Sequence, residues 1–457
     1  MSILIKHADF VVQSADSVKP GWDVLIEGNR IAAVGPDLTA EGADVIDAAG
    51  KVVIPGLMNA HTHLYQTLLR GVRDDVSLVD WCEHVLFPAA DVIHQNHWKQ
   101  GDETLGYCWS ALGVLEMIKG GTTCCANMDM TMDAVYEAWA DIGFRGVATV
   151  TLVDQWLPGR LRRDPDLLRA ETLGYVERWH LSPAHNGRIQ VALAPSTPFL
   201  ASEDLILWAH RQCTDLGLDL HMHVAETEYE VASVQDSTGL TPVQFLDSLG
   251  VINDHFIAVH CVHVTDEDIE TLKIRGAIVV HNPKSNMKIG SGIAPIARLL
   301  AEGVDVALAT DGSSSNDLLD MFEEMRAAAL LQSVAAKDPS VISATDVFRM
   351  ATETGAKACG IDAGTIQPGR LADLAIVNLQ KPHLEPIHDV LSTLVYCAKA
   401  ADVETTIIDG RVVMDDRELT TVDEREILRL AQELGPGLYE RSLHSTLHPE
   451  KGKGLNE

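Results

Sequence analysis

The sequence predicts an α/β fold: a TIM-type (β/α)8 barrel, with a small β-sandwich domain formed by both ends of the chain. Between residue 52 and about residue 355, short apolar runs alternate with longer amphipathic stretches, which is the rhythm of a parallel barrel. Near the two ends of the chain, two segments have a similar sequence pattern that is typical of a β-hairpin: Val24-Leu-Ile-Glu-Gly-Asn-Arg-Ile-Ala32 and Thr406-Ile-Ile-Asp-Gly-Arg-Val-Val-Met414. The expected divisions are 1–55 and 361–420 for the sandwich, 56–360 for the barrel, and 421–457 for a final helix and tail.

The strands of the barrel are predicted from short apolar runs bounded by turn residues. Residues 1 to about 50 contain similar runs separated by glycine-containing turns, and these predict the short strands of the sandwich. The predicted barrel strands are 52–56, 121–127, 145–153, 189–194, 218–224, 256–261, 277–281 and 304–310.

Helices are predicted from the amphipathic stretches that separate these strands. The ranges are 106–119, 205–216, 241–249 and 265–275, followed by 317–336, 343–358 and 422–442. Ser343 is a plausible N-cap for the sixth of these helices. From residue 450 onward, a Gly- and Lys-rich tail is expected to fray.

Composition limits the partners of this chain. Acidic residues number 66 against 35 basic residues, a formal net charge of -31, which disfavours nucleic acid and anionic membranes. No apolar run approaches a membrane span, and the N-terminus lacks a signal-peptide pattern. The 8 cysteines show no CxxC spacing, so we expect neither a disulfide framework nor a thiolate metal site. A cytoplasmic enzyme acting on a small molecule is expected.

Four segments place polar groups at the ends of apolar runs. His61 and His63 lie one residue apart after the first run, so a strand would point both imidazoles to one face. His223, His260 and Asp311 follow later runs in the same way. Since barrels collect catalytic groups at the carboxyl ends of their strands, these side chains are expected to meet.

Three imidazoles and one carboxylate, from His61, His63, His223 and Asp311, suit one divalent metal ion. Zn2+ is the leading candidate, and Fe2+ and Mn2+ also suit such ligands. His221 shares a strand face with His223 and stays an alternative ligand. Asp311 precedes Gly312 and can also be read as a turn aspartate.

Three residues are candidates for proton transfer and charge stabilisation. A divalent ion lowers the pKa of a water molecule to about 7, and Asp311 can accept a proton from that water. Glu226, three residues after His223, can carry a proton to a ring nitrogen and then to the leaving group. His260 can hydrogen-bond the attacking water, with His263 as the alternative.

These segments resemble the amidohydrolase superfamily, in particular its ATZ/TRZ-like branch of adenosine-derivative, guanine-type and s-triazine hydrolases. The resemblance spans almost the whole chain, and its motifs are the following: Pro55-Gly-Leu-Met-Asn-Ala-His-Thr-His63, Leu69-Arg-Gly-Val72, Gly120-Gly-Thr-Thr123, His223-Val-Ala-Glu226, Val259-His-Cys-Val-His263, His281-Asn-Pro-Lys-Ser-Asn-Met-Lys288, Thr310-Asp-Gly-Ser-Ser-Ser-Asn316 and Pro368-Gly-Arg-Leu-Ala-Asp-Leu-Ala-Ile-Val377. It implies the same metal ligands and the same catalytic residues. Binuclear relatives use a lysine on the fourth strand, which Ile189–Pro195 lacks, so one metal ion is expected.

The same resemblance bears on the substrate. The motifs most resemble those of methylthioadenosine/S-adenosylhomocysteine deaminases. Three residues that contact the nucleoside in those enzymes are nevertheless replaced here, within 87–91, within 149–152 and at Ser196. Arg160 matches another member of that set. Gln66 resembles the amide that purine and triazine members aim at the ring, and Ser315 resembles the amino-removing triazine members. Trp81 and Trp156 are candidates for stacking on a flat ring, or for plain core residues.

We therefore predict a metal-dependent hydrolytic deaminase of a small N-heterocycle of purine, pyrimidine or s-triazine type, which releases ammonia or an amine. Methylthioadenosine/S-adenosylhomocysteine deamination and dechlorination of an s-triazine are the enzymatic alternatives. A non-catalytic barrel, recognised by absence of stoichiometric metal, is the alternative from another class. The family likeness also implies a homodimer or homotetramer.

Overall fold

The computed structural model describes residues 2–97, 103–130 and 133–449. Seven strands precede the barrel, and they come from the alternating apolar runs of the first 55 residues. They are β1 (Ser2–Lys6), β2 (Phe10–Ser14), β3 (Ser17–Pro20), β4 (Asp23–Glu27), β5 (Arg30–Gly35), β6 (Asp44–Asp47) and β7 (Lys51–Pro55). The predicted tail from residue 450 lies outside the described residues.

Almost all residues of the barrel strands are buried, because helices cover the outer face of the strands. They are β8 (Leu57–Thr62), β9 (Thr122–Asp129), β10 (Arg145–Leu152), β11 (Ile189–Pro195), β12 (Leu220–Val224), β13 (Phe256–His260), β14 (Ile278–His281) and β15 (Asp305–Leu308). They form one parallel sheet in sequence order, from β8 to β15. The sheet nearly closes where the Asp311 N–H donates to the carbonyl oxygen of His61, at 3.0 Å.

Four strands follow the barrel: β16 (Leu374–Asn378), β17 (Val403–Ile408), β18 (Arg411–Asp415) and β19 (Glu418–Leu419). The end strands form a four-stranded sheet, β5-β4-β1-β6, and a seven-stranded sheet, β19-β18-β17-β16-β7-β2-β3. Val53 of β7 opposes Ile376 of β16, so the two ends of the chain share one ladder. Buried residues from both sheets, including Ile5, Ile26 and Ile407, form one apolar cluster. The predicted sandwich built from both chain ends is confirmed, while its exact domain boundaries stay a prediction.

The predicted first barrel strand, 52–56, was wrong. Lys51–Pro55 instead pairs with β2 and β16 in the seven-stranded sheet, and the barrel begins at Leu57. Pro55-Gly56 interrupts the apolar residues of 52–58, but a turn signal alone does not show that the chain passes there from one sheet to another. The chain passes from the seven-stranded sheet to the barrel at Gly56. A Cβ at this position would stand 2.1 Å from Thr123 Oγ1, so a larger residue would clash there. The other predicted barrel strands each overlap an observed strand.

The helices cover the barrel and the loops at its carboxyl end. They are α1 (Leu78–Trp81), α2 (Phe87–His97), α3 (Glu103–Lys119), α4 (Asp133–Ile142), α5 (Pro165–Trp179), α6 (Glu203–Leu216), α7 (Glu228–Thr238), α8 (Pro242–Ser248), α9 (Asp266–Arg275), α10 (Pro283–Lys288), α11 (Ile296–Glu302), α12 (Met321–Ala336), α13 (Ala344–Ala351), α14 (Glu353–Ala358), α15 (Val390–Tyr396) and α16 (Glu424–Leu443). Cys82–Leu86 joins α1 to α2 as a π-helical turn. Short 3-10 turns occur at Leu64–Leu69, Gly159–Leu161, Pro183–His185 and Ala400–Asp402.

Two helix predictions need correction. The helix predicted over 317–336 begins at Met321, because the Asp320 carboxylate accepts the N–H groups of Phe322 and Glu323 as its N-cap. The helix predicted over 343–358 is two helices, α13 and α14, since Thr352 has non-helical angles of φ -127 and ψ -82. Ser343 is the N-cap of the first, as predicted, in a capping box with Asp346.

Within the described ranges, no helix is both long enough and apolar enough to cross a membrane.

Candidate active site

Three histidines meet at the carboxyl end of the barrel. β8 carries His61 and is followed directly by His63, while β12 carries His223. One nitrogen from each ring lies within 4.8 Å of the other two. The strands therefore bring together imidazoles that are some 160 positions apart in sequence.

The opposite nitrogen of each ring is held by the protein. His63 Nδ1 donates to the carbonyl oxygen of Met128 at 2.5 Å, and His223 Nδ1 donates to that of Ser196 at 2.8 Å. A carbonyl oxygen can only accept, so these bonds place the proton on Nδ1 and leave the Nε2 lone pair facing the cluster. His61 Nδ1 lies 3.0 Å from His221 Nε2, which turns His61 Nε2 the same way.

His221 and His223 therefore occupy different positions, although strand alternation puts both on one face. His223 Nε2 lies 3.4 Å from His63 Nε2 in the cluster. His221 lies behind His61 and contacts its Nδ1. The geometry places His223, and not His221, among the converging nitrogens.

Asp311 completes the cluster. Its Oδ1 lies 3.5 Å from His61 Nε2 and 3.4 Å from His63 Nε2. The residue has a left-handed φ of 62°, which short polar residues tolerate. Ser285 Oγ donates to its Oδ2 at 2.5 Å, and the Gly312 N–H donates to its Oδ1 at 2.7 Å, so the carboxylate is fixed in place.

The donor set fits a divalent cation. Among the described residues, the buried His61 Nε2 has no hydrogen-bond partner, although it points at a carboxylate and two other imidazoles. Burial lowers the pKa of His61 to about 4, and it also lowers the pKa of His63 and of His223. The rings are therefore neutral at physiological pH, which is the form that binds metals.

Glu226 and His260 lie beside this cluster. Glu226 Oε2 is 3.6 Å from His260 Nε2, and Ser291 Oγ donates to Glu226 Oε1 at 3.5 Å. Burial, with the negative charge of Asp311, raises the pKa of Glu226 to about 8. The carboxyl is therefore protonated at neutral pH and can donate a proton into the cavity.

A buried carboxylate shapes the turn that presents Glu226. The two oxygens of Glu230 accept the N–H groups of Ala225 and Glu226, each at 2.8 Å, and Ala225 takes a left-handed φ of 52°. This arrangement closes the chain between the end of β12 and α7. It directs the Glu226 side chain to the same side as His260.

His260 and His263 differ in direction. His260 Nδ1 lies 2.9 Å from Asn286 Oδ1, which leaves Nε2 toward Glu226. His263 Nε2 is instead occupied by the carbonyl oxygen of Ser291, at 2.8 Å. The structure therefore places His260, and not His263, beside the cluster.

A cavity of ≈ 270 Å³ opens next to these residues. Its lining includes His63, His223, Glu226, His260 and Asp311. Of the predicted substrate contacts, the lining also includes Gln66, Trp81, Trp156 and Ser315. Arg160 lies elsewhere: its guanidinium pairs with Asp91 and donates to Thr446 of the C-terminal segment.

Gln66 and Trp81 are locked by one serine. The Ser314 N–H donates to Gln66 Oε1 at 3.1 Å, and Trp81 Nε1 donates to Ser314 Oγ at 2.9 Å. Gly312 must lack a side chain here, since a Cβ would stand 2.0 Å from Gln66 Oε1. The loop that carries Asp311 thus also fixes the amide and the indole at the cavity wall.

Sequence reasoning missed several residues that build the site. Ser285 and Asn286 lie in the motif His281–Lys288, but their spacing does not reveal that they contact Asp311 and His260. Asp129 also lines the cavity, and burial raises its pKa to about 7 while Trp109, Asn127 and Met130 donate hydrogen bonds to it. Its position at the end of β9 was the signal that was overlooked.

Comparison with known proteins places this architecture among related chains. A family model described as "Amidohydrolase family" matches residues 52–413. A curated 5'-deoxyadenosine deaminase of Methanothermobacter thermautotrophicus is 42% identical over 438 residues, which cover 94% of this chain and 97% of the relative. A 5-methylthioadenosine/S-adenosylhomocysteine deaminase of Thermococcus sibiricus is 41% identical over 415 residues, which cover 91% of this chain and 94% of the relative.

A solved structure has the same fold. The crystal structure of an adenosine deaminase from Xanthomonas campestris, with bound zinc, superposes with a TM-score of 0.88 at 31% identity. The match covers 96% of this chain and 98% of that one.

Proposed function

Because this chain belongs to the amidohydrolase family, we propose that it is a metal-dependent hydrolytic deaminase of a small N-heterocycle. The reaction replaces an amino group on an electron-poor ring carbon by the oxygen of water and releases ammonia. One observation carries the proposal: three histidine Nε2 atoms and the Asp311 carboxylate converge beside a cavity whose lining includes His63, His223 and Asp311. We propose a purine as the ring, ahead of a pyrimidine or an s-triazine, because the relatives are named as deaminases of adenosine derivatives.

We propose Zn2+ as the resident cation, held by His61, His63, His223 and Asp311. Support comes from the nitrogen and oxygen donors, which suit zinc, and from the zinc bound by the related adenosine deaminase. A cation at this point supplies Lewis acidity and lowers the pKa of a water molecule to about 7.

The protein residues then divide the proton transfers among them. The Asp311 carboxylate accepts a proton from the attacking water, because its Oδ1 already faces the cluster. The Glu226 carboxyl, protonated at neutral pH, donates to the ring nitrogen next to the attacked carbon. His260 stabilises charge that develops on the attacking oxygen, and Asn286 holds its ring in place.

The substrate ring would lie between Gln66 and Trp81. The Gln66 amide can donate and accept at once, which an amidine-type heterocycle requires. Trp81 offers a flat face whose orientation the bond to Ser314 fixes. Ser315, whose Oγ donates to the Gly312 carbonyl oxygen at 3.0 Å, borders the same region.

Ammonia release tests the proposal. The purified protein, with its metal content measured, is assayed against aminopurines, adenosine derivatives and amino-s-triazines, with chloride release followed for chloro-s-triazines. We expect stoichiometric metal and ammonia from at least one ring class. A protein without metal that releases neither ammonia nor chloride would contradict the proposal and favour a non-catalytic barrel.

A second candidate is deamination of a 5'-modified adenosine, such as methylthioadenosine or S-adenosylhomocysteine. The observation in its favour is the identity of about two residues in five with curated deaminases of this kind, over more than nine tenths of the chain. Activity confined to such nucleosides, with none on free bases, would select this candidate. A cytoplasmic location and a homodimeric or homotetrameric state stay predictions.

A further inference from the structure

Four contacting aromatic rings line the cavity beside the histidine cluster. They belong to Phe87, Trp156, Phe199 and Tyr229, and together they are called the aromatic chamber. The Trp156 ring centroid lies 5.4 Å from that of Phe87, 5.6 Å from that of Phe199 and 6.2 Å from that of Tyr229. These separations are those of rings in direct contact, so the ring faces form one continuous apolar surface. The Tyr229 hydroxyl is a polar group of this surface, and Tyr229 is 45% exposed.

Two of these rings lie close in sequence to residues that build the reaction centre. Phe199 lies three residues after Ser196, whose carbonyl oxygen holds His223. Tyr229 lies three residues after Glu226, in the first turn of α7. Phe199 and Tyr229 are therefore positioned relative to the reaction centre by the same turns that hold the proton donor and a proposed metal ligand.

Trp156 has an unusual backbone for a large side chain. Its φ is 49°, in the left-handed region that residues other than glycine rarely adopt. Such conformations persist where the surroundings enforce them, and they concentrate at ligand sites. Here the constraint turns the indole toward Phe87 and Phe199 and into the cavity wall.

Several polar groups of the surrounding lining are already engaged by the protein. Thr197 Oγ1 accepts the N–H groups of Phe199 and Leu200, and Thr151 Oγ1 donates to the carbonyl oxygen of Asp129. Arg163 is paired with Glu171. Hydroxyl groups of a sugar placed against the ring faces would lose water, and the Tyr229 hydroxyl is the one hydrogen-bonding group that a side chain of the aromatic chamber offers them apart from the Trp156 indole N–H. An alkyl, thioether or aryl group would lose nothing of this kind.

We infer that the aromatic chamber receives an apolar substituent of the ring that is deaminated, and that Trp156 determines this specificity. The inference rests on the proposed function and specifies its substrate class: an N-heterocycle that carries an alkyl, thioether or aryl group, in preference to the bare ring or to a ring with an unmodified sugar.

Substituted rings test the inference. Adenine, or whichever ring the ammonia assay selects, is compared with its n-butyl, benzyl and ribosyl derivatives, which all carry the substituent at the same ring position. We expect kcat/KM for the butyl or benzyl form to exceed that for the ribosyl form by roughly tenfold or more, the discrimination typical of apolar pockets. A ribosyl form that is used equally well or better would overturn the inference.

Trp156→Gly is the informative variant, because glycine adopts a positive φ freely and the ring is removed without backbone strain. It should abolish the preference for the butyl form, so that the kcat/KM values of the butyl and ribosyl forms become similar. Leu181→Gly is the matched control, since Leu181 also has a positive φ, of 51°, but is 49% exposed and does not line the cavity. Tyr229→Phe keeps all four rings and should retain the preference. Retention of the preference in Trp156→Gly would contradict the assignment.

Binding separates the two proposals. Calorimetric titration of the Glu226→Gln variant with the butyl and ribosyl forms measures the affinity for each form without interference from turnover. If no ring yields ammonia, the proposed function fails, and tighter binding of the butyl form still supports the aromatic chamber. If ammonia is released most rapidly from the ribosyl form and that form binds more tightly, the inference fails while the proposed function stands.

Discussion

His221 shows how a single residue can matter without reaching the metal position. It is buried, and its Nε2 contacts His61 Nδ1 at 3.0 Å. That contact orients the His61 ring, whose Nε2 belongs to the converging set. Partners of this kind fix both the tautomer and the direction of a ligating imidazole.

We therefore expect His221→Gln to weaken zinc binding by roughly ten- to hundredfold without abolishing it. His223→Gln should be more severe, because it removes a converging nitrogen. Competition for zinc with a chromogenic chelator measures both affinities, and His255→Gln, which changes an exposed histidine, is the control. The opposite ranking of the two variants would exchange their roles.

Glu226 makes a pH-dependent prediction. Its pKa is raised by burial to about 8, so the carboxyl binds its proton below that pH and loses it above. A proton donor must be protonated, hence log kcat/KM should fall as the pH rises through about 8. Glu226→Gln should lower kcat by about 10²- to 10⁴-fold with the metal content unchanged. A rate profile that is flat from pH 7 to pH 9 would argue against this role.

At the scale of elements, α2 and the C-terminal segment are joined at Asp91. This buried carboxylate pairs with Arg160 and accepts a hydrogen bond from Ser445 at 2.5 Å. Helix α2 also contributes Phe87, Ala90 and Ile93 to the cavity lining. The segment after α16 therefore helps to hold one wall of the cavity, through a residue predicted from sequence to bind substrate.

Arg160→Ala separates these two roles. The change removes one cationic partner of a buried carboxylate, and because the Arg160 side chain is 39% exposed we expect a loss of about 1–2 kcal/mol in unfolding free energy. Thermal unfolding measures it, with Arg162→Ala, an exposed neighbour, as the control. An unchanged melting temperature together with a tenfold higher KM would restore the substrate role.

At the scale of the whole molecule, buried charges join the barrel to the sandwich. Arg145 begins β10, and its Nε lies 2.6 Å from Asp373 Oδ2, just before β16. Its Nη2 lies 2.9 Å from Asp409 Oδ1, in the turn between β17 and β18. One barrel residue thus bridges two separate segments of the C-terminal half of the sandwich.

Arg145→Met should reduce the unfolding free energy by about 3–5 kcal/mol, because two buried carboxylates lose their bridging cation. Denaturant titration checks the expectation, and Arg411→Ala, at the exposed start of β18, is the control. Metal affinity should be unchanged, since the bridge lies at the amino end of the barrel strands. A loss below about 1 kcal/mol would show that the sandwich docks by apolar contacts alone.

Local pattern was sufficient for much of this protein. Strand and helix periods predicted the barrel and the sandwich made from both chain ends, since each period reports which face of an element is buried. The candidate metal ligands, with His221 as the alternative to His223, and the candidates Glu226 and His260 or His263, could be named because each follows an apolar run, where parallel strands deliver side chains to one edge. The reaction class predicted from the motifs agrees with the deaminase names of the relatives.

Tertiary structure decided what depends on contacts between distant segments. No local periodicity encodes the passage of the chain from one sheet to the other at Gly56. The same holds for the position of His223, rather than His221, in the cluster and for the pairing of Arg160 with Asp91. The same is true of the three rings around Trp156, which come from segments after different strands. Sequence spacing fixes the face on which a side chain emerges, whereas its partner depends on how the loops pack, and packing is a property of the folded chain as a whole.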